Sequence, residues 1–248
     1  MSEQKLQLIE MSRELGDPRE DLVILGEGNT SVRVDESSFW VKASGTELAT
    51  ADDTTFVRVQ FDDVLNALQR DTREDLAVKQ VLRDATVEGD RSPSIETFLH
   101  ALCLQLDGVQ FVGHTHPTAA VSLLSVPQSR DLFCGSIFPD QIVLLGASCV
   151  YVPYADPGLP LALAVKRCLE KYLEKQHRVP RVVLLENHGV IALGSTAQEV
   201  INVTRMLVKT CRILLGAVAA GGPRFLTQEN VDRIDTRPDE LARRAGLR

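Results

Sequence analysis

Apolar residues along this chain fall into two periods, and switching between them divides it into strands and helices. After Ser2, the residues Leu6, Ile9 and Met11 recur at helical spacing and stop at Gly16, predicting an amphipathic first helix with a serine cap. Leu22 to Leu25 reads as a strand entering the turn Gly26-Glu27-Gly28-Asn29-Thr30. Residues 31–35 and 39–43 alternate apolar and polar around Glu36-Ser37-Ser38, a hairpin pattern. Phe56 to Gln60 predicts another strand, Asp62 opens a helix through Val64, Leu65 and Leu68, and Asp75 to Val87 predicts a further helical segment.

A loop from Glu88 leads to Ser92-Pro93-Ser94, read as a helix start with Pro93 in the first turn. Ile95, Leu99, Leu102 and Leu106 follow at helical spacing, Asp107-Gly108 ends the helix, and residues 109–112 form a short strand. Ala119 to Leu124 reads as a helix ending before Pro127. The Pro- and Gly-rich section from Phe133 to Pro160 carries short strands near Ile142 to Leu145 and Cys149 to Val152. From Pro160 to about His177 an amphipathic helix alternates Lys and Glu on a solvated face. Residues 181–186 and 190–193 read as strands joined through Asn187-His188-Gly189, and Ser195-Thr196-Ala197-Gln198 as a capping box for a helix reaching about Ala220. No repeat or linker interrupts the pattern. Residues 1–222 are therefore expected to form one domain, with a basic tail at 223–248 belonging to it or to an oligomer interface.

Composition narrows the class. With 248 residues, 44% apolar and 25% charged, the chain has the make-up of an ordinary globular protein. No apolar run is long enough to cross a bilayer, and the first residues lack a signal-peptide pattern. Cys103, Cys134, Cys149, Cys168 and Cys211 are scattered, which suits reduced thiols and a cytoplasmic setting. A net charge of −7 without a basic block argues against a nucleic-acid partner and leaves a small anionic ligand open.

The candidate chemistry centres on His114-Thr115-His116-Pro117. In an extended backbone residues two apart share a face, so the two imidazoles can reach one point, and Pro117 biases His116 toward that conformation. Glu96 is a nearby carboxylate, read either as a ligand and general base or as a solvated first-turn acid favoured by the helix dipole. The turns Gly28-Asn29-Thr30 and Ser44-Gly45-Thr46 offer amides and hydroxyls to an anion, or are simply hairpin turns. His188 on its own reads as an exposed turn residue.

Taken in order, residues 28–33, Ser44-Gly45-Thr46, Ser94 to Glu96, residues 114–117 and Asn187-His188-Gly189 resemble the class II aldolase/adducin family over roughly residues 5 to 222. The resemblance implies an α/β fold of three layers, α/β/α, on a mainly antiparallel sheet, assembled as a cyclic homotetramer with active sites between subunits. It implies that His114, His116 and His188 hold a divalent metal, with Glu96 as fourth ligand or catalytic acid/base. Zn²⁺ suits that set best, with Co²⁺ or Mn²⁺ compatible. Gly28, Asn29, Thr30, Ser44, Gly45 and Ser94 would bind a phosphate or carboxylate of the substrate.

The implied activity is that of an aldehyde-lyase cleaving a small sugar or sugar phosphate through a metal-stabilised enediolate. Epimerase or dehydratase chemistry on the same fold is the alternative, followed by a non-catalytic adducin-like binding protein. Two positions depart from the family. Ile95 stands where a second serine is expected, which predicts weaker phosphate selectivity. No tyrosine lies between Phe133 and Gln141, leaving Asp140 as the candidate acid/base supplied across the interface. His100 reads as a helix residue near the site, and His177 as surface.

Overall fold

A serine cap and a glycine stop delimit the first helix in the computed structural model, which describes residues 2–68 and 75–246. Ser2 Oγ accepts from the Lys5 amide and Gly16 closes the last turn, so α1 spans Glu3–Leu15. It buries Leu8, Ile9, Met11 and Leu15, whereas Leu6, expected in the stripe, is 48% exposed and lies outside the buried face. β1 (Asn29–Arg33), β2 (Ser38–Lys42) and β3 (Phe56–Gln60) follow as expected, then α2 (Phe61–Ala67). The periodic run after residue 75 divides into α3 (Asp75–Asp84) and β4 (Thr86–Glu88), because its last three residues pair with β3 across a bulge.

Four sequence expectations are corrected. Leu22 to Leu25 is not a strand, since Leu25 sits at φ 51°, a left-handed conformation that no strand residue takes. α4 runs Thr97–Leu104 and starts later than predicted, because Pro93 forms an isolated bridge with Ala43 instead of a first helical turn. β5 (Phe111–Thr115), α5 (Thr118–Leu124) and the short α6 (Ser129–Leu132) come next. Ile142 to Leu145 then belongs to α7 (Pro139–Leu145), where Pro139 supplies a helix-compatible φ and Ile142, Val143 and Leu145 turn inward. β6 (Val150–Val152), α8 (Leu159–Gln176), β7 (Val182–Leu185) and β8 (Gly189–Gly194) match the pattern. The cap of α9 (Ala197–Ala219) is Thr196 rather than Ser195, while Glu199 turns back to the Ser195 amide.

The strands form one sheet in the order β4-β3-β2-β1-β5-β8-β7-β6, antiparallel except for the β6–β7 pair. One face packs on α2, α3, α4 and α8, through Phe39, Val59, Leu99 and Val165 among others. The other packs on α1, α5, α7 and α9, through Val32, Phe111, Leu124 and Leu207. The three layers are thus two helical shells on a mainly antiparallel sheet. The tail adds α10 (Gln228–Thr236) and α11 (Pro238–Gly246); Asp235 of α10 pairs with Arg178 of the body at 2.5 Å and with Arg244 of α11 at 2.9 Å, and Arg244 Nε donates to the Val143 carbonyl of α7 at 2.8 Å. Among the described residues no helix is long and apolar enough to cross a membrane.

β5 lies between β1 and β8 and is squeezed by α1 and α9. A Cβ at Gly113 would come within 2.7 Å of Val200 and 3.0 Å of Leu15. Gly113→Ala should therefore cost about 1–3 kcal/mol by overpacking. Thermal unfolding should show a loss of several degrees, with the far-UV spectrum retained. An unchanged melting temperature would show that the helices yield freely at this point.

Candidate functional site

The central strand delivers the first imidazole. His114 on β5 lies in register with Asn29 of β1 and Ile191 of β8. His116 follows two residues later, its amide bonded to the Leu22 carbonyl at 2.8 Å. His188 stands in the turn between β7 and β8, where Asn187 adopts φ 53°. The next residue must be glycine, because a Cβ at Gly189 would meet His116 Cδ2 at 2.5 Å and the Thr115 carbonyl at 2.6 Å. The ring centroids of His114, His116 and His188 are 4.7, 5.0 and 4.9 Å apart, and one ring nitrogen from each lies within 4.8 Å of the others.

Electrostatics single out this point as a seat for positive charge. His114 Nδ1 donates to the Val190 carbonyl at 2.9 Å, which turns its Nε2 to the cluster, 2.9 Å from His116 Nε2. Glu96 Oε1 lies 3.2 Å from His188 Nε2 and Oε2 lies 3.4 Å from His114 Nε2. Burial alone would raise the Glu96 carboxyl, but His114 and His188 beside it hold it well below the usual carboxylate range. Burial opposes charge on His114 too, yet Glu96 and the Val190 carbonyl raise it above the usual imidazole range. Burial, then His114 and His188, hold His116 down to about 3. His188 Nδ1 is buried without a hydrogen-bond partner. Three converging imidazoles, an orphaned ring nitrogen and a buried anion form a donor set that fits a divalent cation.

A buried chain behind Glu96 fixes its orientation. Asn29 Nδ2 donates to Glu96 Oε2 at 2.6 Å, and Asn29 Oδ1 is bonded by His100 Nε2. His100 Nδ1 is 2.6 Å from Ser31 Oγ. Because an amide oxygen only accepts, the hydrogen sits on His100 Nε2 and Ser31 donates to Nδ1. Burial pushes His100 down to about 3, so the ring is neutral. His100 and Ser31 are thus part of the site's support; the sequence reading placed His100 near the site but gave neither residue a role. The available signals were the spacing of four from Glu96 to His100, one helical turn, and of two from Asn29 to Ser31, one strand face. Lys42 was also missed. It is 2% exposed, donates to the Gly26 carbonyl at 3.3 Å, and is lowered by burial with Glu96 and Glu47 opposing.

The residues expected at the anion site separate into two groups. The Ala43–Pro93 bridge brings the Ser44-Gly45 turn beside Ser94, with the Ser44 amide bonded to the Ser92 carbonyl at 2.9 Å. Ser94 Oγ accepts from the Glu96 amide at 3.3 Å. Thr30 is a correction: strand alternation turns its hydroxyl to the opposite face, where it meets Ser12 Oγ at 2.6 Å. Gly28, at φ 67°, permits close approach to the His114 carbonyl, which a Cβ there would meet at 2.7 Å. Asn29 is committed to Glu96. Ile95 packs with the apolar core, close enough to Gly158 that a Cβ there would meet it at 3.0 Å. Asp140 does not join the histidines in this chain; it pairs with Arg243 at 2.5 Å. His177 is exposed at the left-handed end of α8.

A neutral buried His100 makes stability pH-dependent. Its folded pKa is depressed, so its contribution is complete above about 6.5, the unfolded value, and is lost as pH falls toward about 3. Metal-free protein should lose up to about 1.4 kcal/mol per pH unit from this group across that window. His100→Gln should show a shallower acid limb in urea titrations at stepped pH. Identical limbs would remove His100 from the account.

Comparison with known proteins places this geometry. The chain is 31% identical over 182 residues to "Uncharacterized oxidoreductase YuxG" of Bacillus subtilis, covering 70% of this chain and 24% of that relative's length. It is 26% identical over 229 residues to the methylthioribulose-1-phosphate dehydratase of Leptospira borgpetersenii serovar Hardjo-bovis, covering 84% of this chain and 82% of that one. Among solved structures, L-fuculose 1-phosphate aldolase superposes with a TM-score of 0.71 at 22% identity, over 95% of each chain, a likeness of fold. Residues 6–215 match the family described as Class II Aldolase and Adducin N-terminal domain, and the chain belongs to that family.

Proposed function

We propose that this protein is a divalent-metal-dependent lyase that breaks a carbon–carbon bond of a small sugar or sugar phosphate in the retro-aldol sense. The convergence of His114, His116 and His188 with Glu96 on one point carries the reading. These residues would hold the ion, Zn²⁺ by donor chemistry with Co²⁺ or Mn²⁺ compatible. When bound, the ion supplies a Lewis acid for charge developing on substrate oxygens. Glu96 is the acid/base that moves a proton at the substrate carbon, held in aim by Asn29, His100 and Ser31. Ser44, Gly45 and Ser94, with Lys42 nearby in sequence, supply donors and charge for an anionic group remote from the reacting carbons, where binding energy positions them.

The assembly proposed is a homotetramer in which the segment from Phe133 to Gln141 of a neighbouring subunit completes each site, with Asp140 as its contributed acid/base. Light scattering at micromolar concentration should give four chains; an active monomer would exclude this arrangement. The free thiols fit a cytoplasmic setting. Dehydration is the second reading, favoured by the similarity to a dehydratase over 84% of the chain. The same ion and Glu96 serve either reaction. A screen of ketoses and ketose phosphates with product identification separates them, since cleavage yields two fragments and dehydration one product lighter by a water.

His188→Ala should abolish stoichiometric metal by elemental analysis, and full occupancy in that variant would overturn the ligand assignment. Glu96→Gln should keep the metal, because three imidazoles remain, and slow turnover by about 10²–10⁴-fold. Near-normal turnover in a folded, loaded variant would leave Glu96 only a local structural role.

A further inference from the structure

Beside the histidines a cleft of about 330 Å³ opens, lined by Asp21, Glu27, His116, Ser122, Ser125 and His188 among others. Two of its hydroxyls are spent on internal bonds. Thr118 Oγ1 donates to Asp21 Oδ1 at 2.8 Å, and Ser122 Oγ donates to the Thr118 carbonyl at 2.7 Å. Glu27 Oε2 accepts from the Ile24 amide at 3.1 Å, and Oε1 lies 3.8 Å from His116 Nδ1. Asp21 and Glu27 thus keep lone pairs and negative charge for a ligand, and the Ser125 hydroxyl can donate or accept. No lysine or arginine stands among the lining residues described. The remaining wall is apolar, from Val23, Ile24 and Val121, with Ile24 65% exposed.

A phosphate dianion brings charge of the same sign as Asp21 and Glu27, which repel it at this end. A hydroxyl on a carbon chain can donate to these carboxylates without adding charge, and the chain brings apolar surface for Ile24. We infer that this cleft takes the uncharged, hydroxyl-bearing end of the ligand and excludes a phosphate there, with Asp21 and Glu27 as specificity-determining residues. The inference rests on the reading of the neighbouring histidines as the metal site and adds the chemical class of the fragment beyond it. Any phosphate on the ligand then belongs at its other end.

The test uses metal-loaded protein and two inert ligands, a pentitol phosphorylated at one end and the same pentitol phosphorylated at both. The first can keep its hydroxyl end in the cleft, whereas the second must bring a phosphate to it. Calorimetry should show tighter binding of the monophosphate. The variants Glu27→Gln, Asp21→Asn and the pair remove charge but keep an amide oxygen to accept from Ile24 and Thr118. Asn also tolerates the left-handed φ of 56° at position 21. If the double variant is unstable, the single variants read the same quantity. The ratio of the two dissociation constants should narrow by roughly three- to tenfold, less at high salt, with the monophosphate little moved. A ratio that stays put in the variants, tighter binding of the bisphosphate by the wild type, or no binding of either ligand overturns the inference. Affinities indifferent to metal removal would count against the metal reading itself, whereas metal-dependent binding with an unmoved ratio would sink this inference alone.

Discussion

One buried carboxylate sets the terms for the rest of the site. Taking an anion out of water costs several kcal/mol unless charge and hydrogen bonds replace the lost hydration. Glu96 receives both, from His114 and His188 on one side and Asn29 on the other. The carboxylate in turn raises His114, while burial first and then His114 and His188 hold His116 down. A divalent cation would supply positive charge without protonating any ring. The pocket is thus arranged around a charge requirement, and the neutral His100–Ser31 pair extends it one layer deeper by fixing which end of Asn29 faces the carboxylate.

The sheet makes this arrangement rigid. His114 lies on the innermost part of an eight-stranded sheet, with a helical layer on each face and Gly113 leaving room for α1 and α9 to close in. His188 comes from the tight link between β7 and β8, so its position follows from the register of the same sheet. The segment from Asp21 to Glu27 lies outside regular helix and strand, and it is tied at its start by His116 to Leu22 and Thr118 to Asp21 and near its end by Lys42 to the Gly26 carbonyl. Two of the histidines' neighbours therefore come from a loop, whereas the ring-bearing residues come from the frame or its tight turn.

How much of this was legible depended on the range of the signal. The period-two spacing of His114 and His116 is local, and the structure places both rings on one point. His188 is far away in sequence, and only the family resemblance joined it to the pair. Strand alternation was also enough to have turned Thr30 away from Asn29, a consequence the motif-level reading passed over. The short apolar run from Ile142 to Leu145 fits strand or helix equally by pattern, and packing against α9 and the tail decided for helix. Lys42 and His100 are buried polar residues whose partners, the Gly26 carbonyl and the Asn29–Ser31 pair, lie elsewhere in the sequence, so the local spacing from Glu96 to His100 had nothing beside it to point to the site.

The start of α4 shows where local preference yields to the site. Ser92-Pro93-Ser94 has the composition of a helix start, yet the helix waits until Thr97 and Glu96 occupies the cap position with no side-chain bond to its amides. A capping side chain is worth about 1 kcal/mol. An unpaired buried carboxylate costs several times that, so the carboxylate turns from the amides toward the histidines. The helix end still contributes, because its positive pole lies at the residue that carries the charge. Ile95, one position earlier, goes the other way and packs beside Gly158. Adjacent residues thus face opposite demands, one apolar and one ionic, and the two-residue turn preceding α4 is the backbone geometry that lets both be met.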